Sequence, residues 1–232
     1  MSTSLRIAIL TGSSRPHSNN AGIAEWVQDR VIRLLSKTSS STTTDSITTT
    51  PLVPILDHRT DPLPLGPLID DIVPQGLIGI PSPTDSTLEY PYPSARTREF
   101  SRIIQKLDAL IIVTPQYNWS MPGELKNTID HMFHEWVGLP TAVITLGGRG
   151  GGKAAETMNS ILGGIRAQVV SCGVVGVALP RDTYISGDKR STKDDVELLA
   201  PYEAALEGEL LKVIQAAESR RKAKAAAAEK KL

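Results

Sequence analysis

Three short apolar runs, residues 5–10, 109–114 and 141–146, each pass directly into a loop of small and polar residues and then into a segment with helical apolar spacing. A run that short and that uniformly apolar fits a strand buried on both faces, which a parallel sheet covered by helices on both sides provides. The repeated order of strand, loop and helix therefore predicts an α/β fold. Residues 174–179 supply a last strand. Residues 52–57 supply another, held to a sheet edge because proline lacks a ladder donor. About five strands result.

The helices are marked by Ile23, Trp26, Val27, Ile32, Leu34 and Leu35; by Phe100, Ile103, Ile104 and Leu107; and by Met158, Ile161, Leu162 and Ile165. Leu125, Ile129, Phe133 and Trp136 predict a further helix over 125–136, with Ser120 as its N-cap and Pro122 in its first turn. Residues 36–50 are almost entirely Ser and Thr. They cannot bury enough apolar area to offset the entropy of ordering and read as an inserted flexible loop. Residues 61–93, rich in Pro, Gly, Asp and Ser, read as a long irregular insertion that helps shape a pocket. Apolar spacing over 194–218 predicts a C-terminal helix, followed by a basic Ala-rich tail. The expected organisation is a main domain over 1–190 and a helical extension over 191–232.

Composition narrows the function. Lys plus Arg and Asp plus Glu both total 25, so no net field favours nucleic acid. Cys172 is the single cysteine, which rules out an intramolecular disulfide and a cysteine-based zinc cage. It reads as a small packed hydrophobe. No signal-peptide pattern and no membrane-length apolar stretch is present, so a soluble, cytoplasmic protein without membrane attachment is expected.

In parallel sheets of this kind ligands bind beyond the carboxyl ends of the strands. The three most unusual loops lie there: 11–20, 115–122 and 147–153. The first, Thr11-Gly12-Ser13-Ser14-Arg15-Pro16-His17-Ser18-Asn19-Asn20, offers hydroxyls, a cation and a helix N-terminus, all suited to a phosphate. The third fits the G-x-x-x-x-G-K pattern of a triphosphate loop, but Ala154 stands where a Ser or Thr should hold magnesium. That reading is therefore set aside. His131 and His134 lack both the spacing and the third ligand of a metal site, so none is expected.

Gly12-Ser13-Ser14-Arg15 with Ser18 and Asn20 resembles the G-S-x-R-x-x-S-x-N loop of the NADPH-dependent FMN reductase family. Residues 115–130, beginning Pro115-Gln116-Tyr117-Asn118-Trp119 and containing Pro122, Leu125, Lys126, Asn127, Ile129 and Asp130, are similar to its aromatic-loop motif. The resemblance extends over about residues 5–179. It implies a flavodoxin-like three-layer sandwich with a five-stranded parallel sheet, non-covalently bound FMN, and NADPH or NADH as co-substrate. By the same resemblance, Ser13, Arg15, Ser18 and Asn20 would hold the phosphate. Pro115, Gln116, Tyr117, Asn118 and Trp119 would line the flavin ring, and Gly147, Gly148 and Arg149 would approach its pyrimidine end.

The implied activity is hydride transfer from NADPH through FMN to a small acceptor such as a quinone, an azo compound or free flavin. The flavin carries the chemistry, so no catalytic side chain is named. A homodimer is implied, with the aromatic helix 125–136 as its candidate interface. Two alternatives remain at this point: a flavodoxin-type carrier passing electrons to protein partners, and a flavodoxin-fold interaction module without cofactor. Arg15 and the neutral net charge favour the reductase over the carrier.

Overall fold

In the computed structural model, which describes residues 5–39, 52–69, 71–82 and 87–229, the first apolar run forms β1 (Ile7–Thr11) with every residue buried. The chain continues through α1 (Asn20–Ser39), the two-residue β2 (Ile55–Leu56), β3 (Ile80–Pro81) and β4 (Leu88–Glu89). Next come α2 (Ala95–Lys106), β5 (Ala109–Pro115), α3 (Gly123–Asp130), β6 (Pro140–Gly147), α4 (Gly152–Gly164) and β7 (Gln168–Ala178). A single turn, α5 (Val196–Leu199), leads into the long α6 (Glu203–Glu229).

Five strands pair in parallel in the order β2-β1-β5-β6-β7, while β3 and β4 form a separate small antiparallel pair. This is the expected flavodoxin-like sheet, with the edge strand where Pro54 requires it. Strand order reverses at β1, so the crevice between the carboxyl ends of β1 and β5 is where a ligand is received.

Side chains alternate across the sheet with period two. Ile7, Ile9, Ala109, Ile111 and Val113 face a core shared with α1 and α6. Ala8, Leu10, Leu110 and Ile112 face a second core shared with α2, α3 and α4. Each fully buried aliphatic side chain contributes ~1.5–3 kcal/mol by leaving water, which is why uninterrupted apolar runs become the central strands. Cys172 takes a packing role: its thiol donates to the Ala155 carbonyl at 3.2 Å, and burial pushes its pKa up to about 11.

The C-terminal helix completes a layer. Leu206, Leu210, Val213, Ile214 and Ala217 of α6 join the α1 core. At its start the Glu203 carboxylate accepts from Trp26 Nε1 at 2.9 Å and Arg30 Nε at 2.8 Å. The Arg30 hydrogen bonds hold that carboxyl below the usual glutamate range. Towards its far end Lys224 donates to the Leu107 carbonyl at 2.8 Å, satisfying the C-terminus of α2.

Four local expectations are corrected. The helix begun by α3 ends at Asp130, and its N-cap is Pro122 rather than the predicted Ser120, whose backbone pairs instead with Tyr117. Leu125, Ile129 and Trp136 are fully buried within the chain, so the predicted face is not a free interface. The last strand begins at Gln168, six residues early, because the edge of the sheet needs only partly apolar residues there. Within 36–50, residues 36–39 continue α1 and the rest lie outside the described residues, as do 230–232 of the tail.

The described parts of 61–93 form an arm fixed along α2 and the turn after α3. Tyr92 donates to Glu135 at 3.0 Å, Gly66 O lies 3.0 Å from His131 Nε2, and Tyr90 stacks on His134 at 5.0 Å. The arm is thus anchored on the turn after α3. His131 and His134 thus both contact the arm, and among the described residues they belong to no group of three or more His, Cys, Asp or Glu side chains that could hold a metal ion.

Candidate functional site

The first loop starts with a glycine because no other residue fits. A Cβ on Gly12 would lie 2.3 Å from Thr114 Oγ1 and 2.9 Å from Thr114 Cα, since the backbone crosses β5 there. This close crossing brings the loop after β1 against the loop after β5. Ser13 Oγ lies 2.9 Å from the Tyr117 hydroxyl and accepts from Arg15 N at 3.3 Å. The exposed Arg15 guanidinium stands 4.4 Å above the Tyr117 ring. Ser13, Arg15 and Tyr117, far apart in sequence, thus make one cluster.

Ser18 Oγ accepts from Asn20 N at 3.1 Å, capping the first turn of α1. Asn20 itself is 1% exposed, and neither its amide nitrogen nor its amide oxygen has a partner among the described residues. A buried amide of this kind costs ~1–3 kcal/mol unless something bonds it. It sits at a helix N-terminus beside two hydroxyls and a cation, a donor set that suits the phosphate and polyol oxygens of FMN.

In the second loop, Pro115 is the last, buried residue of β5. Tyr117 and Ser120 exchange both backbone hydrogen bonds, at 2.8 and 2.9 Å, around a tight turn. Both central residues are left-handed, Asn118 with φ 45° and Trp119 with φ 65°. Asparagine tolerates that conformation, whereas for tryptophan it stores ~1–3 kcal/mol. Trp119 is also 72% exposed, so its ring stands at the mouth of the site rather than in the core.

Gln116 turns toward the third loop, where its Oε1 accepts from Lys153 N at 2.9 Å at the start of α4. In that loop the backbone path itself requires glycine at Gly150 and Gly151. Gly150 has φ 76° and a Cβ there would meet Gly176 O at 2.7 Å; Gly151 has φ 80°. Gly147 ends β6, while Gly148 and Arg149 are exposed. Arg149 makes no hydrogen bond or ion pair among the described residues. All three loops are therefore joined side by side, the first to the second through Ser13 and Tyr117 and the second to the third through Gln116.

Two components had no signal in the spacing. Residues 181–195 clamp the first loop: Asn19 Nδ2 donates to Tyr184 O, Ser191 N donates to Asn19 Oδ1, both at 2.8 Å, and Arg190 Nε donates to His17 O at 2.8 Å. Glu124 bonds the loop from the other side, with Oε1 accepting from Ser14 N at 3.1 Å and Ser14 Oγ at 3.0 Å. Glu124 falls at a variable position inside the aromatic-loop motif, where pattern matching says nothing.

Comparison with known proteins shows the family. A family model described as NADPH-dependent FMN reductase matches residues 5–180. An NAD(P)H-dependent FMN reductase of Saccharomyces cerevisiae is 36% identical over 131 residues, 56% of this chain and 63% of that protein. An NAD(P)H-dependent FMN reductase of Schizosaccharomyces pombe is 35% identical over 96 residues, 41% of this chain and 48% of that protein. The matched stretch thus spans about half to two thirds of these relatives' lengths. Among solved structures, a flavoenzyme NAD(P)H:(acceptor) oxidoreductase from Paracoccus denitrificans aligns with a TM-score of 0.57 at 18% identity, covering 94% of this chain and 99% of that one. At that identity the likeness speaks for the fold alone.

Proposed function

The chain belongs to the NADPH-dependent FMN reductase family, and from that premise we propose that it is an FMN-dependent NAD(P)H oxidoreductase acting on a small oxidised acceptor such as a quinone, an azo compound or free flavin. When bound, FMN supplies the hydride chemistry between the nicotinamide and the acceptor. The chain's residues bind and orient. Ser13, Arg15, Ser18 and Asn20 hold the phosphate end, and Pro115, Gln116, Tyr117, Asn118 and Trp119 with Gly147, Gly148 and Arg149 line the ring.

The observation that carries this reading is Asn20, a buried amide with both polar atoms unpartnered inside a loop of hydroxyls and one arginine. An interaction module without cofactor would have no use for that cost. The test is anaerobic: purified protein is mixed with FMN and then with NADPH, and flavin absorbance is followed. Bleaching within seconds, reversed by a quinone, is the expected result. Flavin that binds but stays oxidised would leave the electron-carrier reading instead.

The proposal includes a homodimer and a cytoplasmic location, a compartment in which a lone cysteine stays reduced and NAD(P)H is supplied. Because Leu125, Ile129 and Trp136 of the expected interface are buried, the surface that supports dimerisation is the arm, where Ile69, Val73, Ile78 and Ile80 are exposed. Apolar clusters of that kind mark interaction surfaces. Light scattering at twice the chain mass is expected, reduced to one chain mass by Ile78→Asp with Ile80→Asp; a wild-type monomer would refute it.

A further inference from the structure

Glu124 stands in the first turn of α3, and a single carboxylate oxygen takes two donors of Ser14, the residue between Ser13 and Arg15. A negative charge therefore rests on the loop assigned to a phosphate. No Lys or Arg pairs with it among the described residues. Its titratable neighbour is His58, which is 2% exposed, contacts Thr128 Oγ1 at 2.9 Å, and has its pKa lowered chiefly by burial. Burial thus disfavours the imidazolium that would offset the carboxylate. Burial opposes ionisation of Glu124 as well, but the Ser14 donors and the residue's own N–H outweigh it and keep its pKa below the usual value.

We propose that Glu124 determines how strongly the site discriminates FMN from flavin lacking the phosphate: its carboxylate occupies the Ser14 donors and repels the incoming anion, holding FMN affinity below what the loop would otherwise reach. This rests on the placement of the FMN phosphate in the 12–20 loop. The effect is electrostatic and local, so it acts on FMN and spares riboflavin. A carboxylate that were merely a strut between the loop and α3 would act on both flavins alike.

Glu124→Gln separates the two, because the amide oxygen can still accept from Ser14 while the charge is gone. Wild type and variant are titrated with FMN and with riboflavin, following quenching of flavin fluorescence, at low and high salt. In Glu124→Gln, FMN is expected to bind about five- to tenfold more tightly at low salt, the gap narrowing as salt screens it, with riboflavin changed by less than about twofold. Urea midpoints check that the variant is folded, and Glu124→Asp, which keeps the charge, should retain the weaker FMN binding. An unchanged ratio of FMN to riboflavin affinity in Glu124→Gln, or weaker FMN binding, overturns the inference while leaving the flavin site standing. Wild-type protein that binds neither flavin overturns the proposed function itself, and the inference with it.

Discussion

Gly22→Ala is expected to destabilise the protein and to weaken its hold on FMN, although alanine is the better helix former. Gly22 lies in the first turns of α1, and a Cβ there would stand 1.9 Å from the Ser191 carbonyl oxygen and 2.9 Å from Thr192 Cα. Both are backbone atoms, fixed by the two hydrogen bonds that tie Ser191 to Asn19. Relieving the clash means pushing the 181–195 clamp off the phosphate loop. The gain in helix propensity is ~1 kcal/mol, whereas overpacking against rigid backbone costs ~1–3 kcal/mol or more. The lost Asn19 contacts add to that cost. A lower urea midpoint and a raised FMN Kd are the readouts; a midpoint equal to or above wild type would show that the clamp is not packed on α1 as described.

Arg15→Ala is the second large effect, and it separates phosphate binding from ring binding. Arg15 is exposed, has no carboxylate partner among the described residues, and leans on the Tyr117 ring beside Ser13. Its loss removes a charge-assisted hydrogen bond to a phosphate, worth ~1.5–3 kcal/mol, which is about a ten- to hundredfold rise in the FMN Kd. Riboflavin, without the phosphate, should lose far less. Arg15→Lys should recover part of the affinity, since a point charge remains but the planar fork does not. Equal losses for FMN and riboflavin would assign Arg15 to packing on Tyr117 and remove it from the phosphate site.

Much of this architecture could be read from the sequence because the informative signals are local. Apolar runs at 7–11, 109–115 and 140–147 become central strands since nothing but a doubly covered sheet buries them. The loops at their ends follow, and the motifs in them point to the proposed site. What escaped depends on contacts across the fold. Trp136 looked like part of a helical stripe, yet the helix ends at Asp130 and Trp136 reaches the core from the following turn, its Nε1 satisfied by the Ile129 and Met132 carbonyls. The left-handed turn at Asn118 and Trp119, the need for glycine at 150 and 151, and the Glu124 bond to Ser14 are set by backbone path and side-chain reach, which residue spacing does not encode. The clamp over 181–195 has no apolar period; it is held by its single buried aromatic, Tyr184, and by polar bonds to Asn19 and His17.

As proposed, three loops form one FMN site with the phosphate at the first. A crystal structure of the FMN complex tests it most directly. Phosphate oxygens are expected within hydrogen-bond distance of Ser13, Ser18 and Asn20, with Arg15 turned onto them and the ring between residues 115–119 and 147–149. Phosphate bound instead at the Gly147 to Lys153 loop, with Asn20 still unpartnered, would contradict it.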